Sequence, residues 1–396
     1  MKLNKTLPKI TGGTRIRALL FSKSNAPTTL SVFLLLVLLF LPTGFEEAIQ
    51  YKSQIQCKVK ILSTDESRII STGLIRSGEQ HCSVEILSGK LKGQIGEGSN
   101  FLNGSLESDK IFLPGDKALA MVTQTDRQIS TINLIDHYRI DKEFILAALF
   151  ILLIVAFAGK TGVRALLSFT ITILTLWKIL IPAYLRGVNP IIAGIGIVTV
   201  LIILCISLVY GFDRRWLCSV LGALGGVVST IILGLIFTNL FKIHGAVMSN
   251  SESLLYSGYQ SLNLTRIFVA GTILGASGAF IDLSVDISSA IAEIVEKKPT
   301  ITKHEAIKSG LTIGRAAVGT MTTTLLLAYS GSYISLLMVF MAQGTPLINM
   351  LNFKHISADI LDTIIGSIGV VLVAPLTAIA GGLLLTGKNP SPKDRH

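Results

Sequence analysis

From Phe144 almost to its end, the chain is a succession of apolar runs parted by short polar loops. The runs cover approximately 144–158, 165–184, 190–210, 217–241, 267–291, 311–330 and 358–385. Most approach the ~20 residues that a helix needs to cross ~30 Å of hydrocarbon. In that solvent each backbone N–H and C=O must find its partner inside the protein, so runs of this length fold as spanning helices. Composition agrees: 15% of the 396 residues are charged, against about 25% in a soluble chain. The fold class is therefore an α-helical polytopic membrane protein.

The net charge of +11 would suggest nucleic acid in a soluble protein. Here the cations lie in the N-terminal segment and in short loops, as membrane topology requires. No RNA-binding or zinc-finger signature is present, and no nucleic-acid partner is expected. Residues 1–27 carry Lys2, Lys5, Lys9, Arg15, Arg17 and Lys23 and no acid. The apolar run over 28–45, "TTLSVFLLLVLLFLPTGF", follows. It reads as a signal anchor, with a cleaved signal peptide as the alternative. Lys160 and Arg164, then Arg214 and Arg215, then Lys297, Lys298, Lys303 and Lys308 mark alternate loops as cytoplasmic. The tail, 386–396, holds Lys388, Lys393 and Arg395, which places it inside too. Both termini inside require an even number of crossings, and the count with the anchor is about eight. Segment 332–352 is apolar but broken by Gln343, Gly344, Thr345 and Pro346. It is expected to be a re-entrant or interfacial hairpin within the multi-span domain, 144–385.

Residues 46–140 differ in kind. In "IQCKVKIL", Cys57, Val59 and Ile61 share one side, and in "HCSVEIL" so do Cys82, Val84 and Ile86. Such alternation marks half-buried strands, with turn residues expected in "LSGKLKGQ", "GEGSN" and "LPGDK". A small β-rich, barrel-like domain outside the cytoplasm is expected. Cys57 and Cys82 are either two buried small side chains or one disulfide.

Within the spans, Gly271, Gly275, Gly278, Asp282, Asp286, Ser289 and Glu293 recur every three or four residues. On a helix they form one stripe. Its glycines suit close approach of another helix, and intramembrane acids are costly and commonly functional. Hydration at the inner interface is the plainer account of Asp286. Arg315, on the next span, falls at a similar depth. An Asp286–Arg315 ion pair would hold one carboxylate ionised and leave Asp282 as the group whose proton exchanges; a bridge that only fixes packing is the alternative. Thr320, Thr322, Thr323 and Thr324 could cap their own helix carbonyls or line a polar path with Asp282. Asp359 and Asp362 open the last span, Asp362 being the better candidate for an outer mouth. "AFAGKT" lacks the first glycine of a phosphate loop, "HEAIK" lacks the second histidine of a zinc protease, and the histidines are scattered. Neither an enzyme, a metal site nor a cofactor is expected.

"GASGAFIDLSVDISSAIAEIVEKKP", "GRAAVGTMTTTLLLAYSGS" and "IIGSIGVVLVAPLTAIAGG" resemble the YibE/F-like family of bacterial multi-pass membrane proteins. "VEILSGKLKGQ" and "PGDKALAMV" are similar to it as well. The resemblance implies a bacterial plasma (inner) membrane protein with an N-terminal anchor and an extracytoplasmic domain. A more distant likeness is to half of a proton-driven resistance–nodulation–division or SecD/SecF-type protein. The functional expectation is a permease-like protein for a small solute or ion, in contact with the lipid bilayer and with a homo-oligomer or membrane partner as options. The rival is a non-transporting assembly or secretion accessory presenting the β domain.

Overall fold

The computed structural model describes residues 26–46, 54–125, 128–331 and 333–386. Most of the basic N-terminal segment and nearly all of the basic tail therefore lie outside the described residues. The chain divides into two compact units, Phe45–Ala156 and the remainder.

The first unit holds five strands, β1 (Gln54–Thr72), β2 (Ile75–Ile86), β3 (Ile95–Asn103), β4 (Lys117–Thr125) and β5 (Gln128–His137). They close in the order β1-β2-β3-β5-β4, with β4 returning to β1. Pairing is antiparallel except between β3 and β5. This is a small Greek-key barrel of the OB type. Cys57, Val59, Ile61, Cys82, Val84 and Ile86 all face the interior with Phe112, as their alternation requires. "GEGSN" is not a turn: it lies in β3. A Cβ on Gly96 would stand 2.8 Å from Ile132 Cδ1, so the glycine admits a side chain of the neighbouring strand rather than a bend. Two amides are fully enclosed. Gln80 donates to Phe112 O (2.9 Å) and accepts from Phe112 N (3.0 Å). Asn100 donates to Lys110 O (2.7 Å) and to Gln80 Oε1 (3.1 Å). Together they pin the β3–β4 loop to the barrel.

The disulfide option fails. Cys82 is registered opposite Thr64 on β1, seven residues from Cys57, or about 23 Å of strand. Both cysteines are free. Burial pushes the Cys82 thiol up to about 11 and raises that of Cys57 too.

The helices are α1 (Ala26–Phe40), α2 (Ile140–Thr175), α3 (Ile181–Leu185), α4 (Pro190–Tyr210), α5 (Arg214–Leu240), α6 (Ser251–Tyr256), α7 (Leu264–Lys297), α8 (Lys303–Ser330), α9 (Ile334–Ala342), α10 (Leu347–Leu351) and α11 (Lys354–Leu384). Their starts are written locally. Asn189, Asp213 and Asn263 each accept a hydrogen bond from the first turn of the helix that follows. Thr302 and Glu305 form a capping box at α8. Six helical stretches among the described residues are long and apolar enough to cross a membrane. The expected separate spans 144–158 and 165–184 fall in one stretch, Ile140–Leu185. Lys160 and Arg164 are not in a loop between them. The only interruption inside α2 is Gly159, at φ 54° and ψ −126°, a conformation open to glycine. Segment 332–352 holds α9 and α10, parted at Gly344 (φ 67°); neither is long enough to cross.

In the second unit, α5, α7, α8 and α11 share one core through Val227, Ile273, Phe280, Ile287, Leu325, Val373 and Ala378. Small residues set the spacing. A Cβ on Gly226 would lie 2.4 Å from Val373 Cγ2, and one on Gly369 would lie 2.4 Å from Thr230 Oγ1 and 2.7 Å from Phe280 Cζ. A smaller core joins Leu38 of α1 to Ile171, Leu204 and Leu208. Lys178 Nζ donates to Leu41 O (2.8 Å) and Arg186 Nη2 to Thr43 O (2.8 Å), which satisfies carbonyls at the α1 C-terminus.

Candidate functional site

The α7 stripe forms, but it is not the buried face of the helix. Val269, Ile273, Ala276, Phe280, Leu283, Ile287 and Ile291 turn into the core. Gly271, Gly275, Gly278, Asp282, Asp286 and Ser289 lie on the opposite, exposed side. Close packing was expected of its three glycines; two do not provide it. A Cβ on Gly271 or Gly278 would meet nothing within 4 Å, and only at Gly275 would it meet a side chain, 2.4 Å from the Tyr329 phenol oxygen. The packing glycines are instead Gly226 and Gly369. Their signal was in "GALGGVV" and "IIGSIG", where glycine recurs among β-branched residues.

The sides of the stripe belong to other helices. Tyr329 of α8 stands over Gly275. Tyr210 of α4 donates to Val285 O (2.6 Å) and hydrogen-bonds to Ser289. Neither Asp282 nor Asp286 has an ion-pair partner within 4.0 Å among the described residues. The expected Asp286–Arg315 bridge does not form. The depth argument behind it was sound, since a Cβ on Gly314, beside Arg315, would lie 3.2 Å from Ile287 Cδ1, beside Asp286. The neighbouring pair faces inward, so the two charged side chains project from the exposed sides of their helices. Thr320, Thr323 and Thr324 donate to Ala317 O, Gly319 O and Thr320 O of their own helix, at 2.9, 3.1 and 2.9 Å. None of these hydroxyls reaches Asp282.

At the Gly271 end the stripe enters a cavity of about 370 Å³ whose lining includes Gly271, Tyr333, His355, Asp359 and Asp362. Asp359 and Asp362 are three apart on α11 and so share a helix face. Asp362 hydrogen-bonds to the Thr272 hydroxyl, which also donates to Phe268 O (3.2 Å). His355 Nδ1 is 3.2 Å from Val247 O. Among the described residues, no three His, Cys, Asp or Glu side chains group as metal ligands. Tyr329 stands over Gly275, one turn along the stripe from Gly271 in the cavity lining. Sequence reasoning found Asp282, Asp286 and Asp362 but missed Thr272, Tyr329 and His355. An aromatic hydroxyl closing an apolar run, as in "LLLAYSGS", was the available signal for Tyr329.

A family model described as YibE/F-like protein matches residues 146–387. The chain belongs to the YibE/F-like family. The match includes the whole α7 stripe and the Asp359–Asp362 cavity of this YibE/F-like protein. The barrel lies outside it, so the similarity noted for "VEILSGKLKGQ" and "PGDKALAMV" has no counterpart in the matched residues. No curated protein and no solved structure matches the chain.

Proposed function

We propose that this YibE/F-like protein is a permease-like carrier of a small solute or ion in a bacterial plasma membrane, without enzymatic activity, and that protons couple to transport through Asp282. One observation carries the proposal: carboxylates stand at both ends of one exposed face of α7. Asp359 and Asp362 flank the cavity at Gly271. Asp282 lies eleven residues further along, or about 17 Å of helix, with Tyr329 over Gly275 between them. Thr272 has a single hydroxyl proton and two acceptors, Phe268 O and Asp362. A proton on Asp362 allows both bonds at once, so the cavity can hold the proton that the path carries. With α2 divided at Gly159 and α1 counted as the anchor, the chain makes eight crossings, with both termini inside.

Reconstituted in liposomes, the full chain should show solute or ion flux driven by a pH gradient. Asp282→Asn, which preserves shape and removes the titration, should abolish that flux while the protein still purifies as a folded species. Full flux in Asp282→Asn would remove Asp282 from the path. No pH-dependent flux for any of a panel of small cations, anions and zwitterions would favour the accessory role instead.

A further inference from the structure

A second cavity, of about 370 Å³, lies where α5 ends and α7 begins, lined by Thr238, Asn239, Asn263, Thr265 and Arg266 among others. It shares no residue with the Asp359–Asp362 cavity. Its one charged group is the cation Arg266, and its amides and hydroxyls can donate. Arg266 sits in the first turn of α7, a helix of 34 residues with no acid in that turn. A cation there adds to the positive end of the helix dipole instead of opposing it, and both favour an anion. No carboxylate lies within 4.0 Å of Arg266 among the described residues.

Thr238 supplies an independent sign. Its side chain is 2% exposed, and its Oγ1 has no hydrogen-bond partner. Thr272, Thr312, Thr363 and Thr377 each donate to a carbonyl one turn back in their own helices. Thr238 does not, nor does Thr230; a buried hydroxyl left unbonded is unfavourable, and that of Thr238 belongs to a residue of the cavity lining. Thr265 Oγ1 accepts from Gly245 N (3.3 Å) and Asn263 Oδ1 from Arg266 N (3.0 Å). These two oxygens each already accept one hydrogen bond, while the Thr265 hydroxyl proton and the Asn263 amide protons remain available. No acidic side chain lines the cavity.

We propose that this cavity binds a phosphate-type oxyanion, with Arg266 as its fork and the Thr238 hydroxyl as a buried donor. Arg matches phosphate geometry through paired N–H groups, and the α7 N-terminus adds positive potential. The same chemistry is offered by free inorganic phosphate and by the phosphodiester of a lipid headgroup. The site uses none of the α7 acids and stands whether or not the chain transports anything.

The test uses the full chain in a maltoside detergent, which contains no phosphate, and follows thermal stability against ligand concentration. One arm adds inorganic phosphate and the other a short-chain phosphatidylglycerol. A saturable rise in Tm in either arm is expected. Response to phosphate identifies an open anion site; response to phosphatidylglycerol alone identifies a lipid site. Arg266→Gln should weaken the responding ligand about tenfold or more, the loss of a charge-assisted pair. Thr238→Val, which keeps the side-chain shape, should weaken it by about fivefold. Arg315→Gln removes a cation outside the cavity and should change nothing. The proposal is overturned if neither arm stabilises the protein, or if Thr238→Val and whichever Arg266 variant folds bind as the parent does.

Discussion

The barrel and the helical bundle each enclose a core, but they satisfy opposite requirements. The barrel faces water, so its interior takes apolar side chains from every second strand residue and leaves polar ones outside. Its two enclosed amides, Gln80 and Asn100, have their donors matched to loop carbonyls. In the bundle the outer side chains are as apolar as the inner ones, because lipid is no more polar than a leucine core. Phe157, Leu327 and Met338 are exposed while Phe280 and Leu283 are enclosed. What separates inside from outside there is side-chain size, through glycines such as Gly226 and Gly369. Asp282 and Asp286, exposed on an otherwise apolar helix, fall outside this rule.

The largest effect expected from this contrast is at a bundle glycine. Gly369→Leu should cost about 3 kcal/mol or more, the overpacking of a filled interior, because even a Cβ would collide with Phe280 and Thr230. Loss of the monodisperse peak on size exclusion in detergent would register it. Normal yield and Tm would show that α5 and α11 can separate without penalty.

Next comes the barrel's amide network. Gln80→Ala removes both bonds to Phe112 and should destabilise the barrel by about 2–3 kcal/mol. Proteolysis within the β3–β4 loop of the intact chain should rise accordingly, while cleavage between α4 and α5 stays unchanged.

The thiols provide a third check. With Cys82 pushed up to about 11 by burial, it should not react with maleimide at pH 7.5 in the folded chain. Both Cys57 and Cys82 should become reactive on unfolding without a reducing agent. A pair that needs reductant first would restore the disulfide.

A smaller effect is expected from acid. Asp109 accepts from Asn103 N, Gly104 N and Ser105 N at 3.0, 2.7 and 2.9 Å, and the Asn103 bond leads in holding its carboxyl below the usual range. A depressed carboxyl contributes stability that is full above its unfolded value, near 4, and is lost as pH falls through the lower folded value. Asp109→Asn should flatten the acid side of the barrel's Tm profile and leave pH 7 to 8 behaviour parallel to the parent. The smallest effect belongs to Gly278→Ala: its Cβ would meet open space, so the Tm should move by less than the parent's response to Gly369→Leu by a wide margin.

Several elements were legible because the cause is local. Apolar run length announces a spanning helix, and period-two alternation announced the inner faces of β1 and β2. Asp282 and Asp286 were evident from rarity alone. Strand register was not legible: Cys57 and Cys82 looked pairable until β1 and β2 aligned Cys82 with Thr64. The same holds for the glycines of "GEGSN", whose place in β3 depends on Ile132 of another strand.

Helical period placed Gly271, Gly275, Gly278, Asp282 and Asp286 on one stripe, a property of 100° per residue that no neighbour can change. It could not say which way the stripe turns. That depended on where α4, α5, α8 and α11 sit around α7, and those positions follow from side-chain volumes on several helices at once. Arg315 shows the difference: its depth beside Asp286 follows from chain length, and its failure to pair follows from the rotation of two helices about Ile287 and Gly314. Tyr329 meets Gly275, and Asp362 meets Thr272, for the same reason. A single strand of sequence carries periodicity and depth, while rotation and contact are properties of the packed assembly.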